Sequence, residues 1–166
     1  MIRAHRLTKD LLDFLALKMR AKTSREFLQA LQAWVGKNLG VFPDESVSAF
    51  RLEYYAKISL SELPIEQTNL RFEEELERLG TAPPSTADSL AMRIRDILWS
   101  GVTLTLPMVC DQCHADWLRV LQEICSERLV YVCDRCGWAE NGDGRWSGQS
   151  ELMPAHTQVL RAQGLI

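Results

Sequence analysis

Cys110-Asp111-Gln112-Cys113 is followed, after nineteen intervening residues, by Cys133-Asp134-Arg135-Cys136. Two Cys-x-x-Cys pairs at this separation match the spacing of a four-thiolate metal site. Each pair makes a tight turn that aims both sulfurs at one ion, and amides inside the turn stabilise the thiolate charge. Gly137, directly after the second pair, tolerates the positive φ such a turn requires. His114 holds the equivalent place after the first pair, which departs from the usual glycine. Four sulfurs fill a tetrahedron and leave no open coordination position, so the ion is expected to brace the fold rather than activate a substrate. The expected cofactor is one structural zinc ion, with an iron centre and redox-active dithiols as competing uses of the same ligands.

The flanking residues extend the pattern. Val102, Leu104, Leu106 and Val109 read as a strand, interrupted by Pro107, that leads into the first pair, and Leu129 to Val132 as a β-prone run into the second. Between them Trp117, Leu118, Leu121, Ile124 and Cys125 fall on one helical face, which makes Cys125 a small buried residue rather than a fifth ligand. Asn141-Gly142-Asp143-Gly144 is the chemistry of a hairpin tip. Over Leu104 to Trp138 the chain resembles a zinc ribbon or, more loosely, a treble clef with a helix between its knuckles. A likeness to nucleobase deaminases is tested by the same residues and fails. Asp116 stands where the proton-shuttling Glu of His-x-Glu belongs, and Val132 where the Pro before Cys-x-x-Cys belongs.

Upstream, the periodicity is helical. Thr23 and Glu26 form a capping box, followed by Phe27, Leu28, Leu31, Trp34 and Val35 on one face. Leu11, Leu12, Leu15 and Met19 make the stripe of a preceding helix. Val47, Phe50, Tyr54 and Ile58 make a third after Pro43 and Asp44. A fourth is expected from Pro64 to Gly80, and a fifth from Ser85 or Thr86, carrying Leu90, Ile94, Ile97 and Leu98 up to Gly101. The expected fold is therefore mainly α with a small α+β zinc module. It has a 1–101 antiparallel helical bundle, a 102–153 zinc-ribbon or treble-clef-like region, and a 154–166 short helix or tail packed on the body.

The chain of 166 residues carries 19 Lys plus Arg against 22 Asp plus Glu, and 46% of it is hydrophobic, enough to build a core. Residues 1–37 hold eight basic and three acidic side chains, a net of +5, whereas residues 44–80 hold four and nine, a net of −5. Zinc on four thiolates adds −2, taking the formal −3 to −5. No run approaches the roughly 18 apolar residues of a membrane span. Nothing in Met1 to Arg25 reads as an export signal. A cytoplasmic location is expected, where paired cysteines more often ligate metals than form disulfides. No nucleotide-binding glycine loop and no nucleophile elbow is present, and only three His occur, so no enzyme is expected.

What remains is binding. Glu62, Glu66, Glu73, Glu74 and Glu77 are the expected partner surface, and the partner a basic protein. The Asp10 to Trp34 pattern resembles colicin-type immunity proteins of helical fold. That resemblance implies a bacterial protein that neutralises a cognate toxin through an acidic surface. The alternative is a DNA-binding transcriptional regulator, since a helical body with a tetracysteine C-terminal region is similar in outline to flagellar-type transcriptional activators. Against it, Cys110 to Cys136 holds three basic and five acidic residues, a net of −2, where phosphate contacts need Lys and Arg.

Overall fold

In the computed structural model, which describes residues 4–18, 23–146, 148 and 151–166, the chain divides into two units. One comprises Met1–Leu60 with Leu70–Gly101, the other Ser61–Asn69 with Val102–Ile166.

The first unit is helical. Its α1 (Ala4–Lys18) buries Leu7, Leu11 and Leu15; Met19, expected on the same stripe, lies outside the described residues. The next helix, α2 (Ser24–Asn38), starts where its cap predicts. Thr23 Oγ1 accepts from the Glu26 amide at 3.3 Å and donates to the Glu26 carboxylate at 3.1 Å. Phe27, Leu28, Leu31, Trp34 and Val35 are all buried, each worth about 1.5–3 kcal/mol of transfer free energy. The buried indole of Trp34 donates to the exposed Asp10 at 2.9 Å, which ties α2 to α1 at the edge of the core.

The third expected helix is broken. It forms as α3 (Asp44–Ala49) and α4 (Leu52–Lys57), separated by Arg51 in the left-handed region at φ 53°. The break changes which face is buried: Leu52 and Tyr55 go into the core, out of phase with the Val47, Phe50, Tyr54 stripe. Gln32 fastens the new arrangement by donating to the carbonyls of Tyr55 and Ile58 at 2.9 and 2.8 Å. The fourth expected helix is shorter than its acidic run. Ile65–Gln67 is a single 3-10 turn anchored by buried Leu63 and Ile65, and α5 begins only at Phe72, running Phe72–Thr81. Thr86 and Ser89 cap α6 (Ala87–Val102) reciprocally, each side-chain oxygen accepting the other's amide at 3.0 Å. Gly101 is a packing glycine instead of a stop. A Cβ there would meet Leu28 at 2.7 Å and Leu70 at 2.9 Å.

The second unit is built on an antiparallel sheet of β1 (Leu104–Leu106), β2 (Leu118–Glu123), β3 (Leu129–Val132), β4 (Ala139–Asn141), β5 (Gly144–Arg145) and β6 (Leu152–Pro154), in the order β1-β2-β3-β4-β5. Strand β2 is central: β1 and β6 share one edge, with Leu104 opposite Val120 and Leu121 opposite Pro154, while β3 takes the other, with Leu121 opposite Val130. The helix expected across Trp117 to Cys125 is thus a strand. Residues Leu118 to Gln122 are all buried, the polar Arg119 and Gln122 included, so the polar/apolar alternation that marks a half-buried strand is missing from the sequence. Cys125 is correspondingly exposed in the turn after β2. The short helix α7 (Thr157–Ala162) places Leu160 with Leu104, Val120 and Ala155 in one cluster. No helix among the described residues is long and apolar enough to cross a membrane.

Candidate metal centre

Because β2 and β3 run antiparallel, the β1–β2 and β3–β4 connections emerge at the same end of the sheet. One carries Cys110 to His114 and the other Cys133 to Gly137. Both close in the same way. The Cys110 amide donates to the Ala115 carbonyl and the His114 amide to the Cys110 carbonyl, each at 2.8 Å. In the second, the Cys133 amide donates to Trp138 at 2.8 Å and the Gly137 amide to Cys133 at 2.9 Å. His114 adopts φ 57° where Gly137 adopts φ 73°, so the histidine takes the glycine's conformation in spite of its Cβ.

The four sulfurs converge. Cys110 Sγ lies 3.6 Å from Cys136 Sγ, Cys113 Sγ 3.6 Å from Cys133 Sγ, and all four lie within 4.8 Å of one another. A tetrahedron with metal–sulfur bonds of about 2.3 Å has edges of about 3.8 Å, so the cluster can hold one metal ion with little adjustment. Cys110 and Cys133 are buried against Leu118, with Met108, Ala115, Tyr131 and Trp138 around them, while Cys136 faces solvent. Burial works to push the Cys133 thiol up. The Cys136 and Arg135 amides and the sulfurs of Cys113 and Cys136 outweigh it and draw the thiol down to about 7. For Cys136 the Trp138 amide favours the thiolate, yet desolvation and the three neighbouring sulfurs push it up to about 12. Sulfurs this close resist bearing four negative charges together, a conflict that a divalent cation relieves.

A further group, which the spacing of the cysteines does not reveal, holds the second turn. Arg119 on β2, only 8% exposed, donates from Nε to both carboxylate oxygens of Asp134 at 3.0 Å and from Nη2 to Asp134 Oδ2, and its Nη1 donates to Thr103 Oγ1. Asp134 lies between the two cysteines of its pair, so a buried cation braces the turn from within the sheet. The Arg119 and Asp134 signs were visible in the sequence; their pairing follows from the β2–β3 register, which was not.

The expected acidic surface is divided. Glu62 and Glu66 sit on short turns of the second unit, Glu62 with its carboxylate 3.9 Å from His156 Nε2. Glu73, Glu74 and Glu77 are exposed on α5 of the first. Glu74 pairs with Arg71 at 3.1 Å and Arg78 at 3.8 Å, while Glu73 and Glu77 make no ion pair among the described residues. Trp117, expected in the core, is 54% exposed. Comparison with protein families, curated proteins and solved structures returns no match. The site therefore has to be interpreted from its own geometry.

Proposed function

We propose that the protein is a non-enzymatic, zinc-braced binding protein. In this reading its C-terminal region is a zinc ribbon with one structural Zn²⁺ on Cys110, Cys113, Cys133 and Cys136. The observation that carries the proposal is the closure of the centre: four sulfurs at tetrahedral spacing leave a bound ion no position for a substrate. Function then belongs to the surface. The exposed Glu73, Glu74 and Glu77 of α5 suit a basic protein partner, and neutralisation of a basic toxin is the concrete form of this role. The charge of the ribbon supports a protein partner over DNA. Of the three arginines between Cys110 and Cys136, Arg119 is committed to Asp134 and Arg128 pairs with Asp143 at 3.3 Å.

Metal analysis of the purified chain is expected to give one zinc per chain; iron, with its visible thiolate charge-transfer colour, would replace that part of the reading. The triple variant Glu73→Lys, Glu74→Lys, Glu77→Lys is expected to abolish capture of the partner while leaving the melting temperature nearly unchanged. The pairs of Glu74 with Arg71 and Arg78 are worth only about 0.2–0.5 kcal/mol each. Undiminished capture by this variant would overturn the role of α5.

A further inference from the structure

The first cysteine turn presents an apolar surface that no described residue of its own unit covers. Met108, Cys110, Ala115 and Leu118 pack inward around the sulfurs, while Val109 and Trp117, each next to one of them in sequence, are 57% and 54% exposed. The Cys110 to Ala115 hydrogen bond ties the two arms together, so both side chains flank one turn. The carboxylates beside them, Asp111 and Asp116, are exposed and make no ion pair or hydrogen bond among the described residues.

The second turn shows what such a surface accepts. There the Arg145 guanidinium lies 4.9 Å from the centre of the Trp138 ring, and the Trp138 indole donates to Glu140 at 3.2 Å. Tryptophan, carboxylate and arginine complete one another within the chain. At the first turn the tryptophan and the carboxylates are present and, among the described residues, no cation stacks on the ring or pairs with the carboxylates.

We infer that Val109, Trp117, Asp111 and Asp116 form a docking site for an extended segment of a partner protein bearing an arginine beside an apolar side chain. The guanidinium stacks on the Trp117 face and pairs with the carboxylates, while the apolar neighbour covers Val109. The same carboxylates repel phosphate, which sets this surface against nucleic acid. The site lies on the second unit, is independent of α5, and stands or falls separately from the reading given to Glu73, Glu74 and Glu77.

The test uses the full-length zinc-loaded protein, ¹⁵N-labelled, titrated with a hexapeptide of alternating leucine and arginine. The controls are the same peptide with citrulline for arginine and an oligothymidylate. The arginine peptide is expected to shift the amides of 109–118 and the Trp117 indole. Its affinity is expected to fall about tenfold in Trp117→Ala and again in Asp111→Asn/Asp116→Asn, with zinc content retained and with no change in the α5 triple variant. The citrulline peptide is expected to leave these signals in place. Binding that ignores Trp117→Ala, binding lost only in the α5 variant, equal binding of the citrulline peptide, or oligothymidylate shifting the same amides would each overturn the assignment.

Discussion

Cys110–His114 and Cys133–Gly137 close with the same pair of backbone hydrogen bonds but are set in opposite surroundings. The second turn is satisfied from within. Glycine supplies its left-handed residue, Arg119 holds the aspartate between its cysteines, and Arg145 covers its tryptophan. The first turn has a histidine in the left-handed position, and in and just after it the carboxylates of Asp111 and Asp116 make no ion pair among the described residues while Trp117 is exposed. Identical ligation therefore does not mean identical roles. The second turn is braced by side chains of its own unit, whereas the first closes through its backbone hydrogen bonds and gains no such side-chain brace among the described residues.

The largest effect comes from removing what the two turns share. Cys133→Ser is expected to release the ion and to unfold residues 102–153, because metal binding energy on the order of 10 kcal/mol is folding energy in modules of this kind. Retention of one zinc equivalent by this variant, measured by metal analysis with amide spectra of the second unit, would show that the centre is not a four-thiolate site. The next effect separates the turns. Arg119→Met removes the guanidinium that holds Asp134 and Thr103 Oγ1; the Asp134 side chain is 55% exposed and can be hydrated, so the cost is about 1–2 kcal/mol. Chelator competition is expected to strip zinc faster from this variant, with exchange protection lost first at Cys133 to Gly137. Loss of protection first at Cys110 to His114 would invert the comparison.

How far these features were legible in the sequence follows from the range of each interaction. The clustering of the four cysteines and the starts of α2 and α6 were legible, since a cysteine pair or a capping box is complete within four residues. The β3 run and the Gly142-Asp143 hairpin tip were legible on the same grounds. Strand β2 was not. Its identity depends on pairing at both edges, with Leu104 on one side and Val130 on the other, and not on a pattern within its own residues. The break at Arg51 was hidden because arginine, unlike glycine or asparagine, gives no sign of a left-handed conformation, and only the burial of Leu52 and Tyr55 requires it. The acidic run from Glu62 to Glu77 looked continuous in charge, but the burial of Leu63 and Ile65 fixes a turn at its start and separates Glu62 and Glu66 from the α5 carboxylates.

The smallest effect tests the left-handed residue of each turn and is the most discriminating because its sign reverses. Gly137 has open space where a Cβ would go, so Gly137→Ala meets no steric neighbour and is penalised by the backbone alone, about 1–2 kcal/mol at φ 73°. His114 already bears that penalty at φ 57°. His114→Gly is therefore expected to relieve about 1 kcal/mol of strain, offset in part by the greater freedom of glycine in the unfolded chain. Denaturant unfolding at fixed free zinc is expected to place His114→Gly at or slightly above the parent and Gly137→Ala below it. A His114→Gly variant destabilised as much as Gly137→Ala would mean that the imidazole makes a favourable contact of its own at the first turn. The two turns would then be equally well supported, and the contrast between a braced turn and an unbraced one would have to be abandoned.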